Sequence, residues 1–430
     1  MKALRTVIWS LLLVSSISSG NLWAQDVDYA RYVVKSLASP EMKGRGYVEK
    51  GDERAARFIA GQFKKFGLKP VLKNYFQEYS LSINTFPGVM RVIADGRELM
   101  PARDYLVALS SPGRQQAYGL RWLINDSLPD SELFKGLQQE DLSQILVVTD
   151  KFHKELADSN LLKAGGYIFM KDCTHRLFWK ASDGLKLHDF VVLQMCEGTI
   201  TPQTQYIFLD FENHFNEKYA SRNVLGIIPG RVQPDTLIVL TAHYDHLGMM
   251  GKQTLFPGAN DNASGVAALL DFARHYSIPG NEPYYSMVFI ALSGEEAGLL
   301  GSRFCAANPP FELGKVKFLI NFDMVGTGSE GIGLVNGEIL TRYAERIEKI
   351  NEEKKYVKQI HRRGESCNSD HCPFYQKGVP AFFIYTAGKE WPYYHQPEDN
   401  AQGPPFTGYV GFFDLVRDFI HSLSPTSRIP

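Results

Sequence analysis

From residue 223 onwards, apolar runs of strand length alternate with amphipathic stretches of helix length. The runs are rich in β-branched residues, and the stretches between them repeat apolar residues at helical spacing. We predict strands at 237–242, 286–292, 316–322 and 381–385, and helices at 263–276, 296–306, 340–353 and 410–423. Strands that are connected through helices are mostly parallel, and helices then cover both faces of the sheet. This part of the chain therefore predicts an α/β fold with a mixed, largely parallel central sheet and helices on both faces.

The chain before residue 223 has a different texture. An amphipathic helix is predicted at 51–66, but residues 76–222 contain mainly short strand-like runs separated by polar turns. The predicted elements are strands at 90–93, 119–124, 144–148, 167–170 and 190–194, and one helix at 156–164. Strands with little intervening helix are typical of a β-rich unit. We therefore predict a smaller β-rich inserted domain at 76–222, within a larger domain formed by residues 25–75 and 223–430.

The N-terminal segment has the pattern of a secretory signal. Lys2 and Arg5 precede an apolar run at 7–14, and a stretch rich in serine and glycine leads to Ala24. A membrane anchor would need about 20 uninterrupted apolar residues, and serines interrupt this run. We therefore expect residues 1–24 to be a signal peptide, and the mature protein to be exported, periplasmic or extracellular, without a membrane span.

Charge balance and cysteine count exclude two classes of protein. The 46 lysine and arginine residues are matched by 47 aspartate and glutamate residues, so the chain has no basic excess for binding nucleic acid. Five cysteines are too few for a disulfide scaffold in 430 residues. Cys173 with Cys196 and Cys367 with Cys372 could form disulfides and leave Cys305 free. The sequence leaves this pairing open, and it also leaves the oligomeric state open.

Ionisable residues follow the ends of the predicted strands. They are His243, Asp245 and His246 after the strand at 237–242, Asp261 before a helix, Glu295 and Glu296 after 286–292, Asp323 after 316–322, and His395 after 381–385. Residues beyond the carboxyl ends of parallel strands converge in one crevice. We therefore expect these imidazoles and carboxylates to lie close together.

Several of these residues also have a structural explanation when taken singly. Asp261 could cap the following helix, Asp245 could form a turn, and Glu295 with Glu296 could complement a helix dipole. None of these explanations accounts for acids and histidines after so many successive strands. Carboxylates gathered in one cleft repel each other, and a bound cation relieves that repulsion. The sequence therefore favours a metal site.

The mixed ligand set indicates two metal ions. Two histidines and three or four carboxylates exceed the three protein ligands of a usual catalytic zinc site. They suit two ions ~3.5 to 4 Å apart that share a bridging carboxylate. Oxygen donors do not select zinc strongly, so manganese or cobalt would also fit.

Five short motifs follow one another in this half of the chain. They are Ala-His243-Tyr-Asp245, Gly-Ala-Asn-Asp261-Asn-Ala-Ser-Gly, Ser-Gly-Glu295-Glu296-Ala-Gly, Asn-Phe-Asp323-Met and Tyr-Tyr-His395. This ordered set resembles the family M28 zinc peptidases, a group that contains secreted bacterial aminopeptidases. The resemblance extends to Met42-Lys-Gly-Arg45-Gly and to Ser369-Asp-His-Cys-Pro-Phe374. The segments at 144–149 and 156–170 are similar to the protease-associated domain that many of these peptidases carry.

The resemblance implies a set of metal ligands. His243 and Asp323 would bind one zinc ion, and Glu296 and His395 would bind a second. Asp261 would bridge the two ions. The implied cofactor is therefore zinc, with two ions per chain.

The resemblance also implies a mechanism. Glu295 matches the general base of the family, and Asp245 matches the acid that orients His243, because a ligating imidazole needs an acceptor for its other ring N–H. The metals would acidify a bound water, and Glu295 would take its proton and return it to the leaving amine. The carboxylates would attract the free ammonium of a peptide, which implies an aminopeptidase acting on peptide substrates.

Further side chains are candidates for substrate contact. They are Asp370, His371 and Tyr394, the last within an aromatic group of Tyr385, Trp391, Tyr393 and Tyr394. A structural role for His371 and ordinary packing of the aromatic group are equally open. Two alternative functions also stay open, a glutaminyl cyclase-like acyltransferase with one zinc and a receptor-like ectodomain that has lost its ligands. The complete set of five ligand positions favours the two-metal peptidase.

Overall fold

The computed structural model describes residues 27–123, 130–173 and 177–425. The predicted signal peptide at 1–24 lies outside the described residues, as does the last residue of the strand predicted at 119–124. The α-helices are α1 (Val27–Leu37), α2 (Gly51–Lys65), α3 (Asp130–Leu137), α4 (Lys154–Ser159), α5 (Gly265–Ser277), α6 (Leu300–Ala307), α7 (Thr341–Lys354), α8 (His371–Tyr375) and α9 (Tyr409–Ser422). The strands are β1 (Lys69–Pro70), β2 (Phe76–Thr85), β3 (Met90–Ala94), β4 (Arg97–Leu99), β5 (Tyr105–Val107), β6 (Arg114–Leu123), β7 (Ile145–Thr149), β8 (Gly166–Lys171), β9 (Val191–Cys196), β10 (Tyr206–Phe211), β11 (His214–Ile228), β12 (Gln233–His243), β13 (Gly248–Met250), β14 (Thr254–Phe256), β15 (Tyr285–Leu292), β16 (Val316–Phe322), β17 (Gly331–Val335), β18 (Ile360–Arg362) and β19 (Ala381–Ala387).

The ionisable residues follow the ends of strands that belong to the first sheet. Its order is β1-β11-β15-β12-β16-β19-β17-β18, and β2 also pairs with β11. The central strands β15, β12, β16 and β19 are mutually parallel, whereas β11 and β17 pair with them in the antiparallel sense. Side chains alternate along β12, so Ile238 and Leu240 face the core under α1, α2, α5, α7 and α9, and Val239 faces the core under α6 and α8. The predicted α/β fold, with helices on both faces of a mixed sheet, is confirmed.

A second sheet is formed within residues 90–211, in the order β4-β3-β10-β6-β7-β8-β9-β5. Its strands β6 to β9 are parallel, and its two faces bury different residues, Leu146 and Ile168 on one side and Val147 and Tyr167 on the other. This sheet lies inside the segment predicted as the β-rich insert. Strands β2 and β11 belong to the first sheet, although both begin within that segment, and the exact domain boundaries stay a prediction.

The β13–β14 hairpin packs into the hydrophobic core of the second sheet. This hairpin follows the motif that contains His243 and Asp245, and its residues Met250 and Phe256 are buried among side chains of the second sheet. The ring centroid of Phe256 lies 4.8 Å from that of Trp179, in the connection between β8 and β9. Apolar packing therefore joins the second sheet to the region that carries the predicted site.

Two predicted helices have different bounds from those expected. The helix predicted at 296–306 begins at Leu300, because Gly294, Gly298 and Leu299 adopt positive φ angles of 75°, 97° and 63°. Glu295 and Glu296 therefore lie in a loop, which removes the alternative explanation that they complement a helix dipole. The helix predicted at 156–164 ends at Ser159, because Asn160 has a φ of 48°.

Both possible disulfides are present. Cys173 bonds to Cys196 and Cys367 bonds to Cys372, with Cα atoms 5.3 Å and 5.0 Å apart. Cys305 is a buried free thiol. Among the helices of the described ranges, none combines the length and the apolar character needed to cross a bilayer.

Phe272 on α5 packs against β16 and α9 in the hydrophobic core of the first sheet, so its truncation tests this packing. Its ring centroid lies 5.4 Å from that of Phe322 and 4.1 Å from that of Phe413. We expect Phe272→Ala to lower the free energy of unfolding by about 3 to 5 kcal/mol, because the truncation leaves a cavity between α5, β16 and α9. Urea denaturation followed by circular dichroism measures this loss. Val410→Ala, at an exposed position of α9, is the control, and equal losses in both variants would contradict the packing described.

Candidate metal centre

The strands of the first sheet deliver the predicted ligands to one place. β12 ends at His243, Asp323 directly follows β16, Glu296 lies in the loop after β15, and His395 follows β19. Asp261 lies in the turn at Ala259–Ser264 that leads into α5. All five residues are at least nine-tenths buried. The expected convergence at the carboxyl ends of parallel strands is therefore what the structure shows.

Asp261 lies between two groups of side chains. Its Oδ1 atom is 3.5 Å from Nε2 of His243, which is itself 3.3 Å from Oδ1 of Asp323. Its Oδ2 atom is 3.2 Å from Nε2 of His395, which is also 3.2 Å from Oε2 of Glu296. Each of the two oxygens of the Asp261 carboxylate therefore faces a different imidazole nitrogen.

Two further residues join these groups. An oxygen of Glu295 that could ligate a metal lies within 4.8 Å of such atoms of His243 and Asp323. A ring nitrogen of His246 lies within the same distance of carboxylate oxygens of Asp261 and Glu296. Nδ1 of His246 lies 2.7 Å from Oε1 of Glu296, and its buried Nε2 has no hydrogen-bond partner within the described part of the chain. The sequence pointed to His246 only as an extra histidine near the site. The structure makes it a direct neighbour of a predicted ligand.

Main-chain carbonyls set the tautomers of the two predicted histidine ligands. Nδ1 of His243 lies 3.2 Å from the main-chain oxygen of Asp245, and Nδ1 of His395 lies 2.8 Å from that of Trp179. A carbonyl can only accept, so each neutral imidazole carries its proton on Nδ1 and keeps the lone pair of Nε2 free. The nearest carboxylate oxygen of Asp245 is 3.9 Å from Nδ1 of His243. The Nδ1–H of this imidazole therefore donates to the main-chain oxygen of Asp245 and not to its carboxylate.

The carboxylate of Asp245 has other partners. It accepts hydrogen bonds from the hydroxyl of Tyr47, at 3.0 Å, and from the main-chain N–H of Glu295, at 3.2 Å. Asp245 thus connects the strand end that carries His243 with the loop that carries Glu295.

The charges of the cluster favour a bound cation. Burial alone would lower the pKa of His395, but the carboxylates of Glu296 and Asp261 outweigh it and raise this pKa to about 11. Burial raises the pKa of Glu295 well above its usual value, and the negative charges of Glu296 and Asp323 raise it further. Nε2 of His395 is buried and has no hydrogen-bond partner among the described residues. Imidazole nitrogens and carboxylate oxygens around an unpartnered Nε2 form a donor set that fits zinc.

A buried arginine holds the turn that carries Asp261. The guanidinium of Arg45 donates to the main-chain oxygens of residues before and within this turn. These acceptors and distances are Tyr244 at 2.7 Å, Leu37 at 3.2 Å, Pro257 at 2.5 Å, Gly258 at 2.7 Å and Asp261 at 3.1 Å. Arg45 therefore connects the turn and its start, through the carbonyls of Pro257, Gly258 and Asp261, to the carbonyls of Leu37 and Tyr244.

Two more side chains support the ligands. Asp399 accepts hydrogen bonds from the main-chain N–H groups of Asn260, at 2.8 Å and 3.0 Å, and of Asp261, at 3.0 Å. Ser369 donates from Oγ to Oδ2 of Asp323 at 2.6 Å. Sequence reasoning gave no role to Arg45, Ser369 or Asp399. All three lie in segments that carry the motifs, but only the folded backbone shows which groups they reach.

The candidates for substrate contact differ in exposure. Asp370 and His371 are completely buried, whereas Tyr394 is 47% exposed. Tyr394 lines a cavity of about 320 Å³ beside Asp261, together with Tyr385 and Trp391. The structure therefore brings three of the four predicted aromatic residues to one cavity, and the substrate roles stay predictions.

Comparison with known proteins agrees with this geometry. Residues 223–420 match the model of peptidase family M28. A probable leucine aminopeptidase of Arthroderma benhamiae is 30% identical over 307 residues, which cover 69% of this chain and 81% of that protein. The chain belongs to peptidase family M28. Aminopeptidase YwaD of Bacillus subtilis is 31% identical over 195 residues, 43% of this M28 chain and 40% of its own length.

Solved structures show the same fold. A zinc aminopeptidase from Bacillus subtilis superposes with a TM-score of 0.70 and 20% identity, over 94% of this M28 chain and 96% of that chain. An aminopeptidase from Aneurinibacillus sp. strain AM-1 gives a TM-score of 0.66 and 18% identity, over 93% and 94%. The matched regions cover 40% and 59% of the first two curated relatives. The family predicted from the five motifs is confirmed.

Removing the Arg45 guanidinium tests the support of the turn at Ala259–Ser264. We expect Arg45→Met to lower the free energy of unfolding by about 3 kcal/mol or more, because five buried carbonyls lose a charged donor. It should also weaken zinc binding, measured by metal analysis after dialysis. Arg54→Met is the matched control, because Arg54 donates to main-chain oxygens at the exposed surface. If Arg54→Met were equally harmful, the effect would come from charge alone and not from the turn.

Proposed function

We propose that this M28 chain is an exported aminopeptidase with two zinc ions, which removes N-terminal residues from peptides. The observation that carries the proposal is the position of Asp261, whose two carboxylate oxygens face His243 and His395 separately. A carboxylate in this position is suited to bridge two ions. The same position argues against a one-zinc glutaminyl cyclase-like enzyme. The presence of every predicted ligand argues against a receptor-like ectodomain.

The proposed ligand assignment follows the two groups around Asp261. His243 and Asp323 would hold one ion, Glu296 and His395 would hold the other, and Asp261 would contact both. Zinc bound here would supply Lewis acidity, which makes water easier to deprotonate near neutral pH and a carbonyl easier to attack. The main-chain contacts of His243 and His395 keep both Nε2 atoms directed towards that position.

Glu295 is the proposed general base. Its side chain lies beside His243 and Asp323, and its main chain is held by the carboxylate of Asp245. Burial raises its pKa, so the Glu295 carboxylate is a stronger base towards water than an exposed glutamate. Glu295 would then pass this proton to the nitrogen of the departing peptide, which leaves as an amine.

The surroundings of the centre support a preference for free N-termini. The carboxylates of Asp261, Glu296 and Asp323 attract an ammonium group. The cavity beside Asp261, with Tyr385, Trp391 and Tyr394 in its wall, would receive the side chain of the first residue. The two disulfides support export, because such bonds persist in oxidising compartments.

A comparison of free and N-acetylated leucine p-nitroanilide tests the activity. The purified protein should cleave the free substrate only, lose activity in a chelator, regain it with added zinc, and contain two zinc ions per chain by mass spectrometry. Equal cleavage of the acetylated substrate would contradict the aminopeptidase assignment. One zinc ion or none would contradict the two-metal centre.

Glu295→Gln tests the general base. We expect kcat to fall by about 10²- to 10⁴-fold, because the amide cannot accept the proton. Zinc content should stay at two ions, since Glu295 is not a proposed ligand. Glu312→Gln, at an exposed glutamate that is not one of the proposed site residues, should behave like the wild type. Activity that survives Glu295→Gln would exclude this residue as the base.

A further inference from the structure

His395 is the predicted ligand with the most unusual surroundings. It has a φ of 55°, a conformation that non-glycine residues seldom adopt, and it is 4% exposed. Its Nε2 atom faces Asp261 and Glu296, and its Nδ1 atom faces away from the first sheet towards Trp179. The hydrogen-bond acceptor for Nδ1–H of this imidazole therefore comes from outside the strands that deliver the ligands, whereas the ring of Tyr394, 4.0 Å away, comes from the same loop as His395.

Residues of the second sheet hold the imidazole. Trp179, between β8 and β9, accepts the Nδ1–H bond at 2.8 Å with its main-chain oxygen. The neighbouring ring of Phe178 stacks on the imidazole, with centroids 4.5 Å apart and planes inclined by 14°. The ring of Phe178 also lies 5.4 Å from that of Tyr394. A hydrogen bond at one edge and a stacked ring on one face limit both translation and rotation of the imidazole.

The two residues are themselves anchored in the second sheet. The indole N–H of Trp179 donates to the main-chain oxygen of Val107 at 2.8 Å, and the amide of Gln194 donates to the main-chain oxygen of Phe178 at 3.3 Å. Val107 and Gln194 belong to the neighbouring strands β5 and β9. The position of His395 therefore depends on the fold of the second sheet.

We propose that Phe178 and Trp179, which follow β8, position a ligand of the metal centre. The main-chain oxygen of Trp179 fixes the proton on Nδ1 of His395, and Phe178 fixes the ring plane, so that Nε2 would be presented to the ion that Glu296 and Asp261 would also hold. The inference rests on the proposed zinc centre. Groups that orient a ligating histidine typically account for a 10- to 100-fold difference in metal affinity.

Titration of the metal-free protein with Co²⁺ tests this role. Visible absorption gives the two dissociation constants without reference to activity. We expect Phe178→Ala to weaken one of the two constants about 10-fold and to leave the other unchanged. His395→Ala should abolish the same binding step, and Phe178→Tyr, which retains a ring for stacking, should bind like the wild type.

Phe152→Ala is the matched control. Phe152 also lies in the second sheet's segment and contacts another aromatic ring, Phe169 at 5.0 Å, but it is exposed. It should leave both constants unchanged. If Phe178→Ala does not fold by circular dichroism, Phe178→Leu, which keeps the apolar volume without the ring, takes its place and should show the same selective loss.

The outcomes separate the inference from the proposed function. Two Co²⁺ ions bound by the wild type, with unchanged constants in the Phe178 variants, would overturn the positioning role even if those variants were less stable. Fewer than two ions bound by the wild type would overturn the two-metal centre, and the inference with it.

Discussion

The structure depends on one electrostatic constraint, the burial of several carboxylates in a single crevice. Asp245, Glu295, Glu296 and Asp323 follow the ends of central strands and Asp261 lies in the turn before α5, so their charges gather in one crevice and repel each other in a medium of low polarity. Imidazoles and hydroxyl and N–H donors compensate these charges, and a bound cation would compensate them further. The supporting residues follow from this constraint, because each ligand has to be held against the repulsion of its neighbours.

The sequence predicted those elements that depend on interactions between residues close together in the chain. Apolar runs and helical spacing predicted the central strands and most helices within a few residues, because strand and helix periodicities are written in the chain itself. The helix at 296–306 was misplaced at its start because glycine permits a helix as well as a turn, and only the packed loop selects the positive φ angles of Gly294 and Gly298. The pairing of β2 with β11 depends on partners far apart in the sequence, which no local pattern encodes.

The site shows the same division. Strand ends predicted which residues would meet, because the topology of a parallel sheet gathers them. The contacts between His246 and Glu296, between Ser369 and Asp323, and between Arg45 and five carbonyls depend on the rotamers and the main-chain path of separate loops. The main-chain oxygen that orients His243 is equally invisible in a sequence, since every residue has one.

The contact between Trp179 and His395 also has a thermodynamic side. Any coupling between two events is reciprocal, so a second sheet that strengthens metal binding is stabilised in turn by the bound metal. The packing of Met250 and Phe256, which are buried in the core of the second sheet, would contribute to the same coupling free energy. With zinc bound at His395 as proposed, the folding of the second sheet, its docking on the first sheet and metal binding would be coupled, and zinc would act as a ligand that holds the two sheets together.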